Sequence, residues 1–255
     1  MPDRLSQQQS LALIEELETA KKLIEFGIID LREQASEGFH HLPLQLLAQG
    51  LERLLKLTYV LAVLEESDGL PSIRDIKAFS HGLERIADQL VVLVAPKHGV
   101  QEDLEFIRSD GDLRSLLRLL SNFGQESRYH YLDALLDPSS ARVDDDPRLQ
   151  WSEFEDAFIS RRPNWAERLG TPEGQEDVFH EAATGIAALV DRLSRAIARM
   201  WTQGALPEEA AQFSPQLGVF LHLRDEQLGV PRHLKGRRNS TAQAACAGSR
   251  RPSVE

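Results

Sequence analysis

Residues 46–66 read LLAQGLERLLKLTYVLAVLEE. In and just before this stretch Leu44, Leu47, Leu51, Leu54, Leu55, Thr58, Leu61 and Ala62 recur at steps of three and four. That spacing puts them on one face of a helix, whereas a half-buried strand would alternate. Pro43 suits the first helical turn, where a missing N–H goes unnoticed. "ESDGLP", residues 66–71, is a turn. An internal Glu52-Arg53 interrupts an otherwise aliphatic run.

The same period extends outward. Upstream, Leu13, Leu17, Ala20, Ile24, Ile28, Leu31 and Ala35 form a first stripe, which Ser36-Glu37-Gly38 is expected to end. Downstream, Ser72 and Asp75 make a capping box for a third helix through Ile76, Phe79, Leu83, Ile86, Leu90 and Val94. Leu104–Leu120 is helical with a break at "SDGD", residues 109–112. Asn122 and Gly124 favour a turn, Ser127 a new cap, and Asp137-Pro138 a stop. Residues 137–150 are polar with two prolines and read as a linker. Trp151, Phe154 and Phe158 then step as a short helix. Ile186, Leu189, Leu193, Ile197 and Trp201 mark a long one over residues 173–203. Residues 214–229 are ambiguous between helix and strand. Helix is preferred because no partner strand exists elsewhere.

Composition agrees. The chain has 255 residues, 42% hydrophobic but only 6% aromatic, with leucine dominant. Strands favour β-branched and aromatic residues, so this balance leans to helices. The net charge of −11 opposes indiscriminate binding to nucleic acid or anionic membranes. Residues 232–255 are the exception, with six Lys and Arg against Glu255 alone. They read as a disordered basic tail. The single cysteine, Cys246, excludes a disulfide framework and fits a reducing compartment. The apolar run Leu90–Ala95 is far shorter than the roughly 20 residues that span a bilayer. "MPDRLSQQQS" has no apolar leader core, so a cytoplasmic protein is expected.

The expected fold is therefore all-α. An antiparallel helical bundle occupies residues 1–136, a linker 137–150 and a C-terminal helical segment 151–229. The tail spans 230–255. Three motifs in order give this bundle a family likeness. Glu52-Arg53 lies in the second helix, "SHGLER" at residues 80–85 follows, and "SRYHYLD" at residues 127–133 comes later. Over residues 11–136 this order resembles the HEPN family of helical nucleotide-binding domains. The resemblance implies an RNase or nucleotide-binding role of a bacterial defence or toxin–antitoxin type. It implies RNA, nucleotide or a cognate antitoxin as partner, and a homodimer. Many such domains cleave RNA without metal, using an Arg and a His with four to six residues between them.

This chain departs from that pattern. Arg128 is followed by His130, too near, with Tyr129 and Tyr131 as aromatic neighbours. The family's spacing occurs instead at Arg74 and His81. Chance supplies about two such spacings in a chain of this composition. Arg128/His130 and Arg74/His81 are thus the candidate catalytic pairs. Arg128, Tyr129 and Tyr131 are the candidate nucleotide contacts. The alternative is a non-catalytic helical protein for dimerisation or partner docking. No cofactor or metal is expected: Asp177 and His180 lack the second pair a di-iron bundle needs, and His40-His41 lack a third ligand. No nucleophile elbow or phosphate loop is present.

Overall fold

The computed structural model describes residues 4–35, 40–125, 127–137, 139 and 142–230. Among them there is no strand, and the fold is all-α. Two 27-residue helices, α1 (Gln7–Glu33) and α2 (His41–Ser67), form its spine. They run antiparallel, since Ile24 of α1 meets Gly50 of α2 while Glu16 pairs with Arg53 further along. Their contact is tight at Gly50, where a Cβ would lie 2.7 Å from Ile24 Cγ1 and 2.9 Å from its backbone nitrogen. Ser6 and Gln9 close a capping box on α1, and Asp68 ends α2 in the left-handed conformation.

The third helix expected from the sequence is two. α3 (Ile73–Ala78) opens on the Ser72–Asp75 capping box and stops. α4 (Leu83–Val94) begins after a turn at residues 79–82. Periodicity continues across this turn because Phe79 is still buried, edge-on to Tyr59 at 4.9 Å. The backbone nevertheless leaves the helix at Ser80, which has φ of +49°. Ser121 of a neighbouring helix accepts the Leu83 N–H at 2.9 Å and so caps α4. A cap supplied from 38 residues away leaves no local signal.

α5 (Gln101–Ser109) and α6 (Gly111–Gln125) divide at Asp110, as the "SDGD" stretch predicts. α6 runs on through Asn122 and Gly124 rather than turning there. Ser127–Tyr129 form a 3-10 turn, followed by α7 (His130–Leu136). Ser127 does not cap α7; its side chain is fully buried, and the capping position belongs to Tyr129. α7 ends before Asp137, as expected. α8 (Pro147–Ile159) starts inside the polar stretch, capped by Asp146 with proline in the first turn. The short α9 (Trp165–Arg168) leads to α10 (Pro172–Thr202), then α11 (Glu208–Phe213) and α12 (Gly218–Leu221). Residues 214–229 are thus helical turns, not a strand. The expected end of α1 at residues 36–38 and the tail from residue 231 lie outside the described residues.

One core joins these elements. α10 packs on α1, α2, α5, α6 and α8. Buried side chains form a continuous cluster from Leu5 to Phe220. At its centre the Trp201 indole N–H donates to Thr58 Oγ1 at 3.0 Å, with both groups buried. Thr58 in turn donates to the Leu54 carbonyl. The one polar member of the opening stripe is therefore the acceptor for the largest buried side chain of α10. No helix among the described residues is long and apolar enough to cross a membrane.

Candidate functional site

The face of α2 opposite its leucine stripe carries Gln49, Glu52, Arg53, Lys56 and Val60, again at steps of three and four. These residues floor a cleft of about 520 Å³ whose walls include His81 and Arg128. His81 Nδ1 lies 2.7 Å from Glu52 Oε2. Glu52 also accepts from Lys56 Nζ at 2.6 Å, so its carboxylate holds both groups. With Nδ1–H donating to Glu52, the ring's Nε2 is left as the acceptor for exchange chemistry. Arg53 pairs with Glu16 at the cleft's edge.

The placement of His81 is costly and locally secured. Ser80, just before it, holds a left-handed backbone that costs of order 1 kcal/mol outside glycine. Lys56 Nζ donates to the Ser80 carbonyl at 2.6 Å. On the other side Gly124 of α6 faces the imidazole. A Cβ there would come within 3.1 Å of His81 Cβ. Within α6 Gly124 thus serves a close approach to His81, not a turn.

Arg128 enters from the 3-10 turn before α7. Its guanidinium stacks on the Tyr129 ring at 4.9 Å. Its Nε–H is buried without a hydrogen-bond partner among the described residues. An unpaired cationic donor of this kind costs stability unless an anion completes it. The cleft thus gathers Arg53, Lys56 and Arg128 around a His–Glu pair on a chain whose overall charge is negative.

The structure re-sorts the residues singled out from sequence. Arg128 and His81, one from each expected pair, line the same cleft. Their sequence neighbours do not. Arg74 is exposed on α3 beside Asp75. His130 sits on α7 with its ring edge-on to Tyr131 at 5.2 Å. Tyr131 donates to Asp146 at 2.7 Å and ties α7 to the start of α8. Partial burial of that hydroxyl, together with the carboxylate, pushes it up to about 12. Tyr129 stays exposed as the platform under Arg128. Glu52, Lys56 and Gly124 were not read as site residues. The available signal was a polar stripe, at helical spacing, on the back of an aliphatic helix.

Elsewhere, His180 is exposed and its Nδ1 lies 3.1 Å from the Glu176 carbonyl of its own helix. No group of three metal-ligating side chains converges among the described residues. No family model matches the chain, and comparisons with curated proteins and with solved structures find no match.

Proposed function

We propose that the α2 cleft binds a phosphodiester of single-stranded RNA and cleaves it without a metal, in the manner the HEPN resemblance implies. The observation that carries this reading is that His81, held by Glu52, lines one cleft with Arg128, whose buried Nε–H has no partner among the described residues. His81 Nε2 takes the proton of the ribose 2′-hydroxyl as that oxygen attacks phosphorus. Arg128 and Lys56 offset the charge growing on the phosphoryl oxygens. The bond to the 5′ oxygen breaks, and that oxygen takes a proton from solvent. The products are a 2′,3′-cyclic phosphate and a free 5′-hydroxyl. Three cations against the two carboxylates Glu16 and Glu52 give the cleft a small local positive excess, and the net negative charge of the chain argues against unselective binding elsewhere. In a toxin-like setting such an activity calls for a protein that restrains it.

The test is cleavage of a labelled single-stranded RNA pool by wild type, His81→Asn, Arg128→Ala and His130→Ala. Loss in the first two with retention in the third supports this cleft. Loss in His130→Ala alone moves the chemistry to α7.

A second reading has its own observation. α7 exposes Leu135 and Leu136 at 77% and 76%, with Leu132 half exposed beside them. Three leucines on one short helix suit a protein partner, a second copy included. Light scattering of wild type against Leu135→Glu/Leu136→Glu tests this, with a fall in mass expected if the face pairs.

A further inference from the structure

A larger cavity, about 980 Å³, lies between α10, α5 and the segment that follows α12. α10 offers it Arg192, Arg195 and Arg199, spaced so that all three share one face. Two of these are held by carboxylates. Arg195 donates to Asp225 at 2.6 Å and to the Leu223 carbonyl at 2.9 Å. Arg199 Nε lies 3.2 Å from Asp103 Oδ2. The far wall is fixed on α10 by the Gly229 N–H, which donates to the buried Asp191.

Arg192 differs from its two neighbours. Its guanidinium lies 3.9 Å from the centroid of the Phe106 ring. Asp103 and Asp225 act on it only at longer range, and no carboxylate among the described residues forms an ion pair with it. Stacking on the ring holds the planar fork in place without using its N–H donors. Less freedom is then lost when an anion arrives. Arg224, on the opposite wall, is likewise exposed, without an ion pair among the described residues. The cavity thus combines two paired guanidiniums that shape it with two unpaired ones that can bind.

The acidic residues narrow the ligand. Glu102, Asp103, Asp225 and Glu226 line the same cavity and balance its four arginines. It therefore offers no continuous positive track for a nucleic-acid strand, whose charge continues past any one phosphate, but a local anion site beside Arg192 and Arg224. The carboxylates accept hydrogen bonds from hydroxyl groups. The volume lies within the range of small-molecule pockets, about 300–1,000 Å³. We infer that this cavity is a binding site for a small hydroxylated phosphomonoester of the sugar-phosphate class, with Arg192 and Arg224 on the phosphate and Glu102 and Glu226 on the hydroxyls. The site is separate from the α2 cleft and does not depend on RNA cleavage there.

The experiment is calorimetric titration of the full chain at low ionic strength with ribose 5-phosphate, inorganic phosphate and ribose. Saturable binding of ribose 5-phosphate, tighter than that of phosphate and far tighter than that of ribose, is expected. Arg192→Ala and Arg224→Ala each weaken it roughly tenfold or more, the loss of a charge-assisted contact. Arg192→Lys keeps the charge but not the stacked fork and recovers only part of it. Arg128→Ala leaves it unchanged, which separates this site from the α2 cleft. Circular dichroism of each variant, unchanged from wild type, shows that the helices persist. No saturation at millimolar ribose 5-phosphate overturns the proposal. So does equal affinity for inorganic phosphate, or undiminished binding in a folded Arg192→Ala/Arg224→Ala double variant.

Discussion

Glu155 and His40 both neighbour Trp151 and titrate in opposite directions. His40 is 2% exposed, packs on Trp151 at 4.5 Å, and neither ring nitrogen has a hydrogen-bond partner among the described residues. Burial drives it down to about 4. Glu155, 6% exposed and one helical turn from Trp151, is driven up to about 7 by burial, against a smaller opposing pull from the indole. The neighbouring Asp156 carboxylate adds to the rise. The signs follow from linkage. A raised Glu155 contributes stability below its unfolded value and loses it as pH climbs through about 7. A lowered His40 contributes stability above its unfolded value and loses it as pH falls toward about 4. Between these limits the two slopes oppose each other, so wild-type stability should vary little from pH 5 to 6.5. Glu155→Gln should expose the His40 slope and, at pH 8, gain roughly 2–3 kcal/mol over wild type in urea unfolding. Equal midpoints for the two proteins at pH 8 would contradict a Glu155 whose ionisation burial makes costly. At the core's centre, Thr58→Val leaves the Trp201 N–H without its acceptor. A loss of about 1–3 kcal/mol in the same assay is expected, despite the nearly equal side-chain volume.

At the scale of elements, α2 does two jobs with two faces. Its leucine stripe builds the core, and its polar stripe floors the cleft. Gly50 lets α1 lie close enough for the apolar stripes of α1 and α2 to bury each other. Gly50→Ala improves helix propensity by under about 1 kcal/mol but drives a methyl into Ile24, backbone included. Net destabilisation of about 1–3 kcal/mol is expected, read as a lower thermal midpoint. Most helices were legible because their burial is one-sided, and one-sided burial writes a 3.6-residue period. The α3–α4 break was not legible. Phe79 and Leu83 keep the apolar period through a turn, and the group that caps α4 is Ser121, on another helix. Ser127 misled for the converse reason. A serine before a helix usually caps it, but here the side chain is swallowed by the core.

At the scale of the molecule, the α2 cleft draws on three separate stretches of chain. Glu52 and Lys56 come from α2, His81 from the turn before α4, and Arg128 from the turn before α7. Sequence spacing finds pairs that are near along the chain, and so it offered Arg74 with His81 and Arg128 with His130. The fold pairs across those couples, joining residues 47 positions apart in sequence by way of Gly124 and the α2 floor. Gly124→Ala should therefore displace His81 and lower activity at the cleft while leaving the helix content by circular dichroism intact. The most direct measurement is cleavage of labelled single-stranded RNA by wild type beside folded His81→Asn, Arg128→Ala and His130→Ala. Cleavage to 2′,3′-cyclic ends that falls at least about a hundredfold in the first two and persists in the third is the predicted result. Absence of cleavage by the wild type, or cleavage indifferent to His81 and Arg128, would contradict it.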